Sequence, residues 1–192
     1  KDPASAPSSI PGAIREGLAE VLPTAQKKRK DGRAEVFYNP AQVFNRDLSV
    51  LVLSVFARLR AVDHEDRRKK RELKAQETGK PVNKGPAPGL LVLEALAATG
   101  IRSIRYAKEL GEGAHGIRHI VANDLDETAV AHMRRNLEHN SVPEGPEGMV
   151  EVSCADANSH MYVRRARGAG GKGDEAYDVI DLDPYGSVSP FI

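Results

Sequence analysis

From Leu90 onward, short apolar runs alternate with helical stretches, and that alternation leaves few folds open. LLVLEAL (Leu90–Leu96) is apolar at successive positions, the pattern of a strand buried on both faces of a parallel sheet. The turn Thr99-Gly100 follows, and then IRSIRYAKEL predicts a helix ending at Gly111. IRHIVA (Ile117–Ala122) reads as a second strand running into Asn123-Asp124. DETAVAHMRRNLEHN predicts a second helix, with Asp126 as N-cap and Val130, Met133 and Leu137 as its packing stripe. Val150–Cys154 predicts a third strand, and Asp178–Leu182 a fourth, with the Gly/Lys loop GAGGKGDE before it. Such an order implies an α/β fold: a doubly wound, mostly parallel sheet, truncated after the fourth strand, which would lie at an uncovered edge.

Upstream the chain divides by composition. Residues 1–34 read as a partly disordered extension, opening on an Ala/Ser/Pro-rich stretch. Within it Ile14–Leu22 suits a short strand or a short helix, and QKKRKDGR (Gln26–Arg33) is a basic loop, a nuclear-import or RNA-facing patch or simply solvated surface. Residues 35–62 read as the N-terminal part of the main domain. There Leu48, Leu51, Val52, Val55, Phe56 and Leu59 recur at helical spacing from Asp47 onward, with Asn45 or Asp47 as cap. Residues 63–89 change character. HEDRRKKRELKAQETGK is dense in mixed charge and PVNKGPAPG is Pro/Gly-rich, together a surface insertion, helical at first and then flexible. A basic face for RNA phosphates is the sharper alternative for this segment. Residues 90–192 are the α/β core.

Bulk properties exclude several classes. A net charge of +1 over 192 residues gives no global case for nucleic acid, so any such case rests on local clusters. The single cysteine, Cys154, rules out an internal disulfide framework and fits a reducing compartment. No apolar run approaches the ~20 residues that span a bilayer, so no membrane partner is expected. His115, His119, His132, His139 and His160 lack metal-ligand spacing with Cys154, so no metal is expected, and His132 and His139 read as solvated. The start at Lys1 and the stop at Ile192 read as cuts in a longer protein.

The chemistry gathers at the strand ends. Glu94–Gly100 follows the first strand, Asp124 ends the second, Asp156 the third and Asp183 the fourth. Each acid alone suits a helix cap as well as a ligand. Right-handed crossovers, however, bring all four ends to one edge of the sheet, where open α/β folds bind ligands. Asp124 stands 24 positions after Gly100, the usual place of a carboxylate that bonds ribose hydroxyls. The first turn lacks the glycines that seat a pyrophosphate, since Ala97-Ala98-Thr99 occupy it. A nucleoside cofactor without phosphates therefore fits better than a nicotinamide dinucleotide, and S-adenosylmethionine is one. Arg102 stands at the helix start as a clamp for its carboxylate. Asp156 suits the adenine amino group, beside the Ala157 N–H.

Together VFYNPAQVFNRDLSV, LEALAATGIRSIRYA, ANDLDETAV, ADA and DVIDLDPYGS resemble the tRNA (guanine-N2)-dimethyltransferases, from about Glu35 onward apart from the charged insertion. The resemblance implies a Rossmann-like methyltransferase core using S-adenosylmethionine on guanosine 26 of tRNA. It also implies that Arg46 of NRD, Arg102, Asp124, Asp156 and Ala157 contact the cofactor and that Asp183 is the catalytic carboxylate. On its own, Arg46 reads as a surface ion pair with an acid such as Asp47. Guanine N2 is a poor nucleophile, so a carboxylate and the Pro184 carbonyl accepting both amino hydrogens would aim its lone pair. A base flipped out of a stem would stack on Tyr185, with Phe37 and Tyr38 next. A monomer in the nucleus is expected, the mitochondrion being the alternative compartment. The chain by itself is expected to be poorly active. The competing readings are another amino or amide acceptor on the same fold, a nicotinamide-dependent dehydrogenase, and an inactive RNA-binding fragment.

Overall fold

A computed structural model describes residues 10–23, 38–82, 87–111, 116–169, 176–184 and 186–191, without the side chains of 164–169. In chain order its elements are β1 (Ile14–Glu16), β2 (Ala19–Val21), α1 (Val43–Thr78), β3 (Leu90–Glu94), α2 (Ile101–Leu110), β4 (Ile117–Asp124), α3 (Glu127–His139), β5 (Val150–Cys154), α4 (Ala157–Ala169) and β6 (Val179–Asp181). β3 to β6 form one parallel sheet in the order β5-β4-β3-β6. Every residue of β3 is buried, as the unbroken apolar run requires of a central strand covered on both faces. The sheet grows from β3 through β4 to β5 on one side and then reverses to place β6 on the other, with β6 at the edge. That reversal opens a crevice between the tips of β3 and β6. Among the described residues no helix is long and apolar enough to cross a membrane.

α3 follows its sequence signals closely. The Asp126 carboxylate accepts the Thr128 N–H at 2.8 Å, and Val130, Met133 and Leu137 are buried against the sheet. α4 is absent from the sequence reading. Its apolar residues Met161, Tyr162 and Val163 are consecutive, which gives no helical stripe, and the last two are exposed. Asp156 starts it, its carboxylate accepting the Ser159 N–H at 2.8 Å.

The segment left open between strand and helix is a hairpin, β1 pairing antiparallel with β2. It lies on α2 and α3, where side-chain amides extend its hydrogen bonding. Asn140 Oδ1 accepts from Glu20 N at 2.9 Å, and Asn136 Oδ1 accepts from Leu22 N at 3.0 Å. This packing corrects the expectation of solvated histidines. His139 Nε2 lies 2.9 Å from Glu20 Oε2 of the hairpin, and His132 is buried beside Asn136, whose Oδ1 accepts from Leu22 N just after the hairpin.

α1 is longer than expected at both ends. It starts at Val43, after a single 3-10 turn (Pro40–Gln42) capped by Asn39, so Asn45 and Asp47 lie inside the helix and do not cap it. It runs unbroken into the charged stretch and ends at Thr78, with Gly79 in the left-handed conformation. Arg68 pairs with Glu65 and Glu72, three and four residues away, which supports a helix that has no core of its own. The residues it buries are Arg46, Leu53, Ala57 and Ala61, whereas Leu48, Leu51, Val52, Val55 and Leu59 are exposed.

Candidate functional site: the crevice at the strand tips

The site is built on side chains that tie the strand tips together. Asn123, at the end of β4, donates Nδ2 to the carbonyls of Ala95 after β3 and Ala155 after β5, at 3.0 and 2.9 Å. The turn after β3 is tight: Gly100 N bonds Ala97 O at 2.7 Å, and Ala98 has a positive φ of 47°. Gly100 itself has φ +73°, and a Cβ there would lie 2.5 Å from Met133 Cγ, so close packing of α3 also demands glycine. Asp124 holds the turn through its carboxylate, accepting Ala98 N at 2.8 Å on one oxygen and Asp126 N at 2.9 Å on the other. Each oxygen keeps a lone pair for a ligand hydroxyl.

Two ionic clusters frame the crevice. In the first, Arg102 near the start of α2 donates Nη1 to Asp181 at 2.7 Å and Nη2 to Asp183, while Tyr106 donates its hydroxyl to Asp181. Burial alone would lower the pKa of Arg102, but Asp181, Glu94 and Asp183 together hold it above its ordinary value. Glu94, the last residue of β3, accepts the Ser103 N–H and hydroxyl. Burial, reinforced by the charge of Asp181, pushes its pKa up to about 7. Burial also raises the Tyr106 hydroxyl well above its usual value, with Asp181 adding to the shift.

In the second cluster Glu16 of the hairpin accepts from Arg46 Nε at 2.7 Å and Arg46 Nη2 at 2.7 Å, and from Arg105 Nη1 at 2.9 Å. Burial would raise the pKa of Glu16, but hydrogen bonds and charge from Arg46 and then Arg105 outweigh it and hold the carboxyl below its usual range. The expected pairing of Arg46 with Asp47 is therefore replaced. Arg46 is buried on Glu16 and over the Tyr38 ring, and Asp47 reaches Arg105 at 2.7 Å.

A cavity of about 290 Å³ at the tips is lined by Tyr38, Arg46, Glu94, Arg102, Asp124, Asp181, Asp183 and Pro184, with the turn Leu96–Thr99 as its floor. Of the residues singled out from sequence, Tyr38, Arg46, Arg102, Asp124, Asp183 and Pro184 share this lining. Asp156 and Ala157 stand one strand farther out, beyond β5. They do not line the cavity, and the Asp156 carboxylate is engaged at the start of α4. Phe37 and Tyr185 lie outside the described residues. Sequence reasoning placed Glu94 at the first strand end without a role and gave none to Glu16, Tyr106 and Asp181. An acid inside each of two apolar strand runs, LLVLE and VID, was the available signal for Glu94 and Asp181.

Fold and crevice together define a Rossmann-like domain of the methyltransferase type. Residues 18–192 match the family described as N2,N2-dimethylguanosine tRNA methyltransferase, and the chain belongs to that family. It is 40% identical to a Drosophila melanogaster tRNA (guanine(26)-N(2))-dimethyltransferase over 93% of this chain and 29% of that protein. It is 37% identical to a mitochondrial tRNA (guanine(26)-N(2))-dimethyltransferase of Saccharomyces cerevisiae over 93% of this chain and 31% of that one. A solved structure of Trm1 from Pyrococcus horikoshii in complex with S-adenosyl-L-methionine superposes with a TM-score of 0.58 at 27% identity, covering 93% of this chain and 37% of that one. The chain thus spans about a third of the length of the proteins it matches.

Proposed function

We propose that this chain carries the cofactor crevice and catalytic carboxylate of a tRNA (guanine-N2) methyltransferase, which methylates the exocyclic N2 of guanosine 26 once and then again. The names of the relatives above support the substrate, and the P. horikoshii complex supports the cofactor. The observation that carries the reading is the presence of Asp124 and Asp183 on one lining at the point where strand order reverses.

The residues present fit S-adenosylmethionine. The turn after β3 has no glycine-rich pyrophosphate seat, and the Asp124 carboxylate at the tip of β4 suits the ribose hydroxyls. Arg102 uses two of its five N–H donors on aspartates and keeps others for a ligand carboxylate. Arg46 shapes the wall from its seat on Glu16, and Asp156 and Ala157 would meet the adenine end. When bound, this cofactor supplies an electrophilic methyl group. Asp183 and the Pro184 carbonyl accept the two hydrogens on guanine N2, turn its lone pair outward and hold it in line. Asp183 then takes the proton released. Arg102, bonded to Asp183, positions that carboxylate in the crevice. Phe37 and Tyr185 would stack on the flipped base. We assign a monomer that binds tRNA in the nucleus, on the strength of the basic loop 26–33; the yeast relative's name favours the mitochondrion as the second choice.

Methyl-labelled S-adenosylmethionine and unmodified tRNA, offered to the full-length polypeptide, test the reading. Asp183→Asn should lower guanosine methylation by about 10²-fold or more, as expected for loss of a general base, while cofactor binding stays within a few-fold. Undiminished methylation by Asp183→Asn would remove the aspartate from the mechanism.

A further inference from the structure

A second pocket lies at the opposite edge of the sheet. It has a volume of about 130 Å³, and its walls include Arg60, His64, Arg67 and Arg71 of α1, Arg118 of β4 and Asp178 just before β6. Spacings of four, three and four residues put 60, 64, 67 and 71 on one face of α1. Ala57 and Ala61 on the same face are small enough to leave the recess open. Gly89 and Leu90 form the entry to β3, so the pocket sits at the amino ends of the strands, away from the crevice.

Among the described residues its charge is unbalanced. Four guanidinium groups of these residues face one carboxylate, and that carboxylate is already committed: Asp178 Oδ1 accepts from Arg60 Nη2 at 2.6 Å and Oδ2 from Leu91 N at 2.9 Å. Arg67, Arg71 and Arg118 make no ion pair among the described residues. Arg71 buries Nε and Nη2, and Arg118 buries Nε, with no hydrogen-bond acceptor for any of these donors among the described residues. Buried unpaired donors on like-charged groups are costly and call for an acceptor of opposite charge.

We propose that this pocket binds an oxyanion of the phosphate class. A tetrahedral group presents oxygens in several directions and carries more than one charge, which suits guanidinium groups approaching from α1 and from β4; a carboxylate offers only two oxygens in one plane. The volume admits a phosphate group and excludes a whole nucleotide. The source we assign is a backbone phosphate of RNA, and that assignment alone rests on the proposed tRNA reaction. Free phosphate is the other source.

Two probes separate the sources: inorganic phosphate, followed by thermal shift and phosphorus NMR line width, and unmodified tRNA, followed by fluorescence anisotropy over a range of salt. The proteins compared are wild type, the double variant Arg71→Gln/Arg118→Gln and the exposed single variant Arg67→Gln. Without phosphate the double variant should melt no lower than wild type, since like charges have been removed. An RNA-backbone source predicts that tRNA affinity falls roughly five- to tenfold in the double variant and that the slope of log K against log salt becomes shallower by about one. A free-anion source predicts that phosphate raises the melting temperature of wild type and not of the double variant, with tRNA affinity unchanged; the oxyanion site then stands. If neither probe distinguishes the double variant from wild type, there is no such site. S-adenosylmethionine binding and methyl transfer are measured alongside on the full-length polypeptide, and a full-length protein that binds phosphate here but methylates no guanosine refutes the reaction and leaves the site.

Discussion

Glu94→Gln tests the electrostatics of the crevice at a lining residue to which the proposed reaction assigns no step. Glu94 is buried at the end of β3, and its pKa of about 7 stands above the usual 4.5, first because burial disfavours the charged form and then because Asp181 lies close. Below pH 4.5 the carboxyl is protonated in folded and unfolded chains alike. As pH rises, the unfolded chain releases the proton first, so the stabilising contribution present at low pH is lost on the way through about 7. The gap between 4.5 and about 7, at about 1.4 kcal/mol for each unit, amounts to roughly 3 kcal/mol. Glutamine has no such titration. Urea denaturation of both proteins between pH 4 and 8 should therefore show wild type losing about 3 kcal/mol relative to the variant, or roughly 6–12 °C in melting temperature for a chain of this size. Asp181→Asn should move the inflection to lower pH. If the wild-type and Glu94→Gln curves run parallel within about 0.5 kcal/mol, Glu94 is not held neutral and the crevice electrostatics described above are wrong.

Gly100→Ala should destabilise the fold by about 1–3 kcal/mol and weaken cofactor binding, because it combines a positive φ with a collision on Met133; an unchanged calorimetric melt would show that the turn relaxes freely. Glu16→Gln should cost about 3–5 kcal/mol in denaturant titration, since it leaves Arg46 and Arg105 buried without their shared carboxylate. Because the Glu16 pKa is lowered, its contribution is present above pH 4.5 and should disappear as pH falls through its folded value. A Glu16→Gln difference that persists unchanged at pH 3 would contradict that.

Local pattern was enough for much of the core. β3 and β5 were legible as apolar runs, and α3 was legible down to its cap at Asp126 and its stripe of Val130, Met133 and Leu137. The expected crossovers and the observed strand order together explain why acids separated by dozens of residues, such as Asp124 and Asp183, share one cavity. α4 and the hairpin escaped because their stability comes from neighbours: the hairpin bonds to Asn136 and Asn140, more than a hundred residues away in sequence. Periodicity identified α1 but not its buried face. Small Ala57 and Ala61 pack inward, whereas Leu48, Leu51, Val52, Val55 and Leu59 of the sequence stripe stay exposed and only Phe56 of it packs on the core.

The sequence by itself determined the succession of the four core strands with the helices α2 and α3 between them, and the residue types at the strand tips, whereas the reversal of strand order that opens the crevice belongs to the tertiary structure. Backbone periodicity and turn chemistry act over a few residues and are written locally. Only the tertiary structure decided that Arg46 belongs to Glu16 and that Arg102 belongs to Asp181 and Asp183, pairs that lie 30, 79 and 81 positions apart. It likewise decided that Glu94 is driven towards neutrality and that the arginines of α1 and β4 converge on one recess. A side chain's charge state and partner depend on the water removed around it and on the charges that packing brings within a few ångströms, and no local run of sequence contains either.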